Sequence, residues 1–256
     1  MFTKAIVRPP GENFCDGLTS VDLGIPDLSR AITQHRAYCN ALVRCGLELV
    51  ELDPDPQYPD STFVEDTAIV TEGYGVITLP GAPSRRGEIV SIAALLSGYF
   101  EKLDAVKLPG TVDGGDVCQV ENHFLIGISD RTNEAGALQL SAFLADAGFT
   151  SSHVDICGID GLLHLKSGIT YIGDGRLLVA DPLIGRAEFD GFEIVRVPEG
   201  EEYAANCVRV NDHVLFAAGF PILQNSLEVL GYRLIELEMS EFQKMDGGLS
   251  CLSLRF

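Results

Sequence analysis

The C-terminal segment MDGGLSCLSLRF puts a free thiol in an unusual place. Cys251 lies five residues before the last residue and follows a glycine pair, Gly247 and Gly248. Chain ends fray and exposed thiols react, so a cysteine there needs a protected setting. One interpretation is a buried core cysteine, the commoner role of a free thiol. The other is a nucleophile on a clamped strand, with glycines that let a backbone or ligand approach closely.

His164 is the histidine best placed to assist such a nucleophile. It lies in DGLLHLKSG with apolar residues on both sides and a glycine nearby. The other four histidines fall in a helical pattern, in hairpin turns or in a loop. A structural histidine satisfied within a sheet is the alternative. On converging strands, the cysteine and the histidine would form a nucleophile and its proton partner.

Two acidic segments, PDSTFVEDTA and TVDGGDV, carry carboxylates inside strand-like runs. A carboxylate is costly to bury without a partner, and single acidic residues usually face solvent. Several of them in one place would suit a guanidinium, which is planar, permanently charged and rich in donors. An aromatic ring could cover one face of that cation. The candidates in these segments are Asp60, Phe63, Glu65, Asp66, Asp113 and Asp116.

Arginines in APSRRGE and SDRTNE are candidates for binding a carboxylate on the same ligand. Arg85 or Arg86 in the first segment, and Arg131 in the second, could capture it through two parallel hydrogen bonds. Ordinary helix-entry charges are the alternative, since the chain has 18 basic residues.

The composition excludes several classes of partner. A formal net charge of −19 in 256 residues disfavours nucleic acid and anionic membranes. No apolar run reaches the ~18 residues of a membrane span, and the first residues resemble a short strand rather than a signal peptide. Seven cysteines, without a Cys-x-x-Cys pair, disfavour a zinc site or a disulfide framework. We therefore expect a reducing, cytoplasmic compartment and no metal site.

A weak repeat organises the chain. An apolar strand, a polar turn and a second apolar strand recur at 63–78, 113–127, 163–180 and 204–217, and the tail 247–256 resembles the first half of a fifth unit. The N-terminal strand 4–9 could supply its second half. Starts 50, 50, 41 and 43 residues apart indicate a repeat architecture.

Helical patterns alternate with these hairpins and predict an α/β fold. They cover 27–45, 85–103, 133–147 and 221–230, with Asn133 as a candidate N-cap. Ser240 and Gln243 form a capping-box signal for one more turn. Five hairpin-plus-helix units in a ring would pair the last strand with the first and gather equivalent strand starts around one axis.

Seven blocks in order resemble the dimethylarginine dimethylaminohydrolases, members of the guanidine-modifying superfamily with a five-bladed pentein fold. The resemblance runs from the N-terminal strand to Phe256, and it implies one catalytic domain over residues 1–256. The similar arginine deiminases are considerably longer. The blocks are PDSTFVEDTA, PGAPSRRGE, TVDGGDV, SDRTN, DGLLHLKSG, YAANC and DGGLSCLSLRF.

The resemblance implies roles for the catalytic residues. Cys251 corresponds to the nucleophile, His164 to the general acid and base, and Asp113 to an acidic residue that is glutamate in some members. Asp66, with Glu65 beside it, corresponds to the carboxylate that contacts the guanidinium.

The rest of the substrate would be bound by residues from several segments. Asp60 and the backbone of Leu18, in a mobile lid FCDGLTS, would hold the α-amino group. Arg85 and Arg131 would pair with the α-carboxylate, and Met245 would offer a backbone contact near the nucleophile.

The implied reaction converts an Nω-methylated arginine to citrulline and methylamine or dimethylamine, through a covalent thiouronium on Cys251, without a metal or organic cofactor. Arginine deimination and amidino transfer on the same site are alternatives, as is a non-catalytic pentein binding protein. The expected partner is a small guanidino amino acid, and a homodimer is possible.

Overall fold

Fifteen strands form five three-stranded sheets in the computed structural model, which describes residues 1–256. Most strands are only three to six residues long, so no sheet could bury a core alone. The strands are β1 Lys4–Val7, β2 Glu48–Glu51, β3 Ala68–Thr71, β4 Tyr74–Ile77, β5 Leu103–Ala105, β6 Val117–Val120, β7 His123–Ile128, β8 Thr150–Asp155, β9 Ile169–Gly173, β10 Arg176–Val179, β11 Glu193–Arg196, β12 Val208–Val210, β13 His213–Ala217, β14 Arg233–Leu237 and β15 Leu254–Arg255.

All five sheets share one plan. Two antiparallel strands form the hairpin, and a third strand pairs parallel with the second. The first to fourth units are β3–β5, β6–β8, β9–β11 and β12–β14, and the fifth combines β15 with β1 and β2. The predicted hairpins contain these antiparallel pairs, and the predicted five-bladed α/β fold is confirmed.

Four longer helices connect the second and third strands of their units, and a fifth, single-turn helix lies between the fourth unit and the C-terminal strand. They are α1 Leu28–Arg44, α2 Ile89–Leu96, α3 Glu134–Asp146, α4 Pro221–Val229 and the single turn α5 Ser240–Gln243. The third unit uses 3-10 turns in that place. None of the helices combines the length and apolar character that a membrane crossing needs.

Helix ends match the predictions except around α2 and α5. Asn133 caps α3 by accepting from the Gly136 N–H. The helix predicted over 85–103 is wrong at both ends, because it starts as a 3-10 turn and stops at the Ser97–Gly98 step, which frees Leu103 for β5. No side chain caps α5, so the predicted capping box does not form.

The ring closes between the two chain ends. β15 pairs antiparallel with β1, with Ala5 opposite Arg255 and Ile6 opposite Leu254. Five buried apolar clusters lie between neighbouring units, including one that joins Val208 and Leu215 of the fourth unit to Ala5 and other residues of the fifth. Burial between neighbours therefore runs around the whole ring and holds the C-terminal strand in place.

Candidate active site

A short 3-10 turn lies before each hairpin, and we call these five segments the entry turns. They carry or adjoin most of the predicted site residues: Val64–Thr67, Gly114–Asp116, Leu165–Ser167, Glu202–Ala205 and Ser250–Leu252. Cys251 was predicted on a strand. It lies in an entry turn instead, because β15 begins only at Leu254.

Side chains from one entry turn bind the backbone of the next turn around the ring. A side-chain oxygen accepts a backbone N–H in three places: Asp66 from Gly115 at 2.8 Å, Asp116 from Leu165 at 2.9 Å, and Asn206, which directly follows its turn, from Ser250 at 2.9 Å. These bonds fix the backbone within two residues of Asp113, His164 and Cys251. The three catalytic candidates therefore owe their relative positions to contacts between units.

Nine of the eleven predicted site residues line one small cavity, which has a volume of about 30 Å³. Cys251 and His164 share it, so the thiol and the imidazole face the same space. Asp113 and Glu65 do not line it. The lining residues are Leu18, Asp60, Phe63, Asp66, Arg85, Arg131, Leu163, His164, Met245, Asp246, Gly247 and Cys251.

The thiol of Cys251 is disfavoured as an anion in this setting. The residue is only 8% exposed, and burial together with the charges of Glu65 and Asp66 raises the pKa of the thiol to about 12. The Lys166 ammonium opposes this shift but does not cancel it. Cys251 is therefore a protonated thiol at neutral pH in the ligand-free protein.

His164 carries the opposite charge preference. Burial lowers its pKa, but Asp66, the hydrogen bond to Asp113 and the charge of Asp116 outweigh burial and raise the pKa to about 9. Its Nε2 donates to Asp113 Oδ2 at 3.0 Å. At neutral pH the imidazole is therefore protonated and able to donate a proton within the cavity.

Asp113 lies behind the histidine, fully buried. One carboxylate oxygen accepts from His164, and the other accepts from the Gly81 N–H at 2.8 Å. Because both oxygens are already bound, Asp113 acts on the cavity through the orientation and charge of His164.

Asp66 and Arg85 form a buried ion pair at the side of the cavity. Asp66 Oδ2 lies 2.7 Å from Arg85 Nη1. Burial raises the pKa of Asp66, but Arg85 and His164 reverse this and lower it to about 2. Asp66 therefore remains a carboxylate at any physiological pH.

The Arg85 guanidinium is largely occupied by the protein itself. Its Nε and Nη2 donate to Glu88, and Nη2 also donates to the Phe63 carbonyl at 3.2 Å. With Nη1 bound to Asp66, about one of the five donors stays free. The two-bond capture of a carboxylate expected of this arginine would require Arg85 to break one of these contacts.

The amino-acid end of the predicted substrate site is formed by Asp60, Leu18 and Arg131. The Leu18 N–H donates to both oxygens of Asp60, at 3.0 and 3.3 Å, which ties the lid to the cavity wall. Arg131 lines the cavity, and its backbone N–H donates to Ser129 Oγ. A cation and an anion thus lie side by side, as a zwitterion requires.

Phe63 and Met245 supply apolar wall. The Phe63 ring packs against Phe14 and Phe242 at centroid distances of 6.3 and 6.2 Å. A Cβ on Gly247 would collide with this ring, so that glycine makes room for the aromatic wall. Cation–π contact between Phe63 and a guanidinium stays a prediction.

Glu65 does not line this cavity, and its predicted role in the substrate site stays a prediction. The carboxylate pairs with Lys166 and Arg255 and accepts from Ser250 Oγ at 2.7 Å. It faces a separate cavity of about 880 Å³ along the ring axis. Successive residues of a tight turn point in different directions, so Glu65 and Asp66 diverge.

A metal ion could in principle be held by Asp66, Asp113 and His164, whose nearest ligand atoms lie within 4.8 Å of one another. His164 and Asp113 are already hydrogen-bonded to each other, and the Asp66 carboxylate accepts from Arg85 and from the Gly115 N–H. The positive charges of Arg85 and His164 also disfavour a second cation there.

A curated relative from Pseudomonas aeruginosa, an N(G),N(G)-dimethylarginine dimethylaminohydrolase, is 44% identical over 257 aligned residues and covers 100% of both chains. The chain belongs to the dimethylarginine dimethylaminohydrolase family. This confirms the resemblance inferred from the seven sequence blocks.

Solved structures agree with this assignment. A cysteine-to-serine variant of the Pseudomonas aeruginosa dimethylarginine dimethylaminohydrolase, in complex with citrulline, superposes with a TM-score of 0.97 over 100% of both chains, at 44% identity. The N-terminal domain of ArgZ shares the fold alone, with 19% identity and a TM-score of 0.89. No family model matches the chain.

Several residues at this dimethylarginine dimethylaminohydrolase site were not predicted from the sequence. Leu163 and Asp246 line the cavity, and Glu88, which does not line it, forms an ion pair with Arg85. Asp246 also accepts from the Ser20 N–H and so binds the end of the lid segment FCDGLTS to the C-terminal segment. The DGG triplet that contains Asp246 was a usable signal, whereas nothing local distinguishes Glu88 from any helix-entry glutamate.

Proposed function

We propose that this protein hydrolyses Nω-methylated arginine to citrulline and methylamine or dimethylamine, with Cys251 as the nucleophile. The observation that carries the proposal is that one cavity is lined by the Cys251 thiol, the protonated imidazole of His164 and Arg131, which forms no ion pair. The family membership and the structure of the relative in complex with citrulline support it.

Charge complementarity supports the orientation of the substrate. Asp66 lines the same cavity as Cys251 and His164, and its carboxylate would attract the guanidinium. Asp60 and Arg131 would receive the α-amino and α-carboxylate groups, with one N–H of Arg85 assisting. Pairing at both ends would hold the guanidinium carbon close to the sulfur, which lowers the entropic cost of the reaction.

The charge states suggest the order of proton transfers. Because His164 is already protonated at neutral pH, it cannot accept the thiol proton first. Entry of the substrate cation would stabilise the thiolate, and the thiol proton would leave to solvent. The thiolate attacks the guanidinium carbon and forms a C–S bond. His164 then protonates the departing amine as the C–N bond breaks.

Hydrolysis of the covalent intermediate completes the cycle. His164, now neutral, takes a proton from water as the oxygen attacks the thiouronium carbon. The C–S bond breaks, the proton of the added hydroxyl passes to the departing sulfur, and citrulline and the free thiol are the products. No redox partner or cofactor enters this balance.

Product analysis tests the reaction and its alternatives. The protein is incubated with asymmetric dimethylarginine, monomethylarginine and arginine, and citrulline, dimethylamine, methylamine and ammonia are quantified. We expect citrulline with dimethylamine or methylamine, and a trace of ammonia at most. Ammonia from arginine as the main product would indicate a deiminase instead.

Variants locate the reaction on the predicted residues. Cys251→Ser should abolish turnover, whereas Cys157→Ser, at an exposed free cysteine, should keep it. Mass spectrometry of the C-terminal peptide after a substrate quench should reveal the thiouronium on Cys251. Full activity in Cys251→Ser would refute the proposal and favour a binding role.

Cellular location and assembly complete the proposal. Seven free cysteines support a reducing, cytoplasmic compartment. The predicted homodimer is testable by light scattering of the purified protein, where a mass near 27.6 kDa would instead indicate a monomer.

A further inference from the structure

The residue that precedes the nucleophile is bound by three different elements. Ser250 donates its backbone N–H to Asn206 Oδ1 at 2.9 Å and its hydroxyl to Glu65 at 2.7 Å. Its carbonyl accepts from Arg255 at 3.2 Å. The entry turn itself has no side-chain cap, so these bonds hold the backbone at Cys251.

Asn206 contributes more to this arrangement than one hydrogen bond. Its Nδ2 also donates to Ser250 Oγ at 3.1 Å and to the Lys166 carbonyl at 3.0 Å. One amide therefore connects the third entry turn, next to His164, with the fifth, next to Cys251. A Cβ on Gly248 would lie 2.5 Å from Asn206 Oδ1, so this glycine lets the amide approach the C-terminal segment.

The chemistry of the side chain matters as well as its reach. Asp66 and Asp116 accept the backbone N–H of the neighbouring turns with carboxylates, whereas the backbone N–H of the turn that carries Cys251 is accepted by a neutral amide. Only an amide can accept from the Ser250 N–H and donate to two oxygens at once. A carboxylate here would also add negative charge beside a thiol that must ionise.

We infer that Asn206 is a positioning residue of the proposed reaction: it orients the Cys251 turn against the His164 turn without adding charge. Asn206 does not line the catalytic cavity and acts through Ser250. The charged and titratable groups that influence Cys251 come from three entry turns: Glu65 and Asp66 from the first, Lys166 from the third and Tyr203 from the fourth. His164, which precedes the third turn, lines the same cavity.

The test separates geometry from charge with two variants and a matched control. Asn206→Ala removes all three hydrogen bonds. Asn206→Asp keeps the acceptor for the Ser250 N–H, loses the donors and adds a charge. Thr170→Val is the control, because the Thr170 hydroxyl donates to the carbonyls of Ala205 and Cys207 on the same turn but does not contact Ser250.

Turnover and alkylation are measured together. Asn206→Ala should lower kcat by about 10- to 100-fold, as expected for a reacting group displaced by ~1 Å, with KM within about threefold because the substrate-binding residues lie elsewhere. Iodoacetamide should label Cys251 faster in this variant, since the turn is looser. Asn206→Asp should slow the labelling of Cys251 at neutral pH, because the added negative charge disfavours the thiolate. The labelling rate should return to that of the wild type as the pH rises.

Internal controls keep the result interpretable. The tryptic peptide 245–255 contains Cys251 as its single cysteine, and exposed Cys157 should be labelled equally in every variant. Thr170→Val should match the wild type within about twofold in both assays, as expected for a residue without contact to the reacting groups. Thermal unfolding checks that the variants remain folded.

The inference is overturned if Asn206→Ala and Asn206→Asp both keep the wild-type kcat and labelling rate, or if Thr170→Val loses as much as they do. Should Asn206→Ala fail to fold, Asn206→Asp decides alone: labelling identical to the wild type at every pH contradicts the inference. The inference rests on the proposed function, but a wild-type protein without hydrolase activity would refute only that function, since the labelling still tests the Asn206–Ser250 contact.

Discussion

The imidazole of His164 and the carboxylate of Asp113 are joined by a 3.0 Å hydrogen bond between two different units of the ring. The same carboxylate is anchored by the Gly81 N–H. The imidazole is therefore oriented by one fixed acceptor, and Asp113 acts together with Asp66 and Asp116 to raise its pKa.

Removing the charge of Asp113 should lower the pKa of His164 and with it the proportion of protonated imidazole. In Asp113→Asn we expect kcat to fall by about 10²- to 10⁴-fold, the usual range for impaired acid–base catalysis. The alkaline limb of the pH–rate profile should move towards lower pH. Asp130→Asn, at an exposed aspartate, serves as the control. An unchanged alkaline limb in Asp113→Asn would contradict this role.

The Cys251 thiol should remain protonated in the free protein throughout the neutral range. Ultraviolet absorbance of the thiolate, corrected with Cys251→Ser, should rise only at strongly alkaline pH, because burial, Glu65 and Asp66 raise its pKa. A bound guanidinium analogue should lower that pKa. A ligand-free pKa below ~6, against a reference of ~8.5, would show that the protein alone activates the thiol.

Glu88 should be essential for keeping Arg85 in place. Glu88→Ala leaves a buried guanidinium with one carboxylate partner, and losing hydrogen bonds to a charged group costs about 1.5–3 kcal/mol of the free energy of unfolding. Urea denaturation measures this loss, and KM should rise as Arg85 shifts. The exposed pair of Arg196 and Asp181 is the control, because Asp181→Ala should cost below about 1 kcal/mol. Equal losses in the two variants would contradict the argument.

His35 should make the fold sensitive to mild acid. It is buried in α1 with Nε2 unpartnered, and burial lowers its pKa to about 4, below the reference value of 6.5. As the pH falls, His35 is therefore protonated in the unfolded chain before it is protonated in the folded protein. Its contribution to the free energy of unfolding is complete above pH 6.5 and declines as the pH falls towards 4. The loss from this residue is about 3 kcal/mol, at 1.36 kcal/mol for each pKa unit.

Denaturation at several pH values tests the His35 prediction. His35→Leu should flatten the decline in the free energy of unfolding between pH 6.5 and 4. His153→Leu, at an exposed histidine, should leave it as in the wild type. A parallel decline in wild type and His35→Leu would show that other groups cause the acid sensitivity.

The sequence predicts the strongly patterned parts of the fold well. Each hairpin alternates apolar residues over two strands joined by a short turn, so its signal is local. The third strands of the units were not predicted. Strands such as β8, TSSHVD, and β11, EIVR, are short and partly polar, and their parallel pairing depends on a partner far away in the chain.

The candidate site divides in a similar way. Cys251, His164 and Asp66 stand in recognisable blocks, and the residue types alone indicate thiol chemistry on a cation. The direction of neighbouring side chains is not local information: Glu65 and Asp66 are adjacent, yet only Asp66 faces the catalytic cavity. The turn geometry and the packing of the next unit decide which of the two residues does so.

The sequence by itself determined the five-unit α/β ring, the family and the chemical types that meet in the cavity, because periodicity and motif order are carried by the chain. Only the tertiary structure decided which groups are free to act. It committed Asp113 to His164, most of Arg85 to Glu88 and Asp66, and Asn206 to Ser250. Hydrogen-bond partners and desolvation arise from contacts between distant segments, and these contacts set the charge and the reach of each residue.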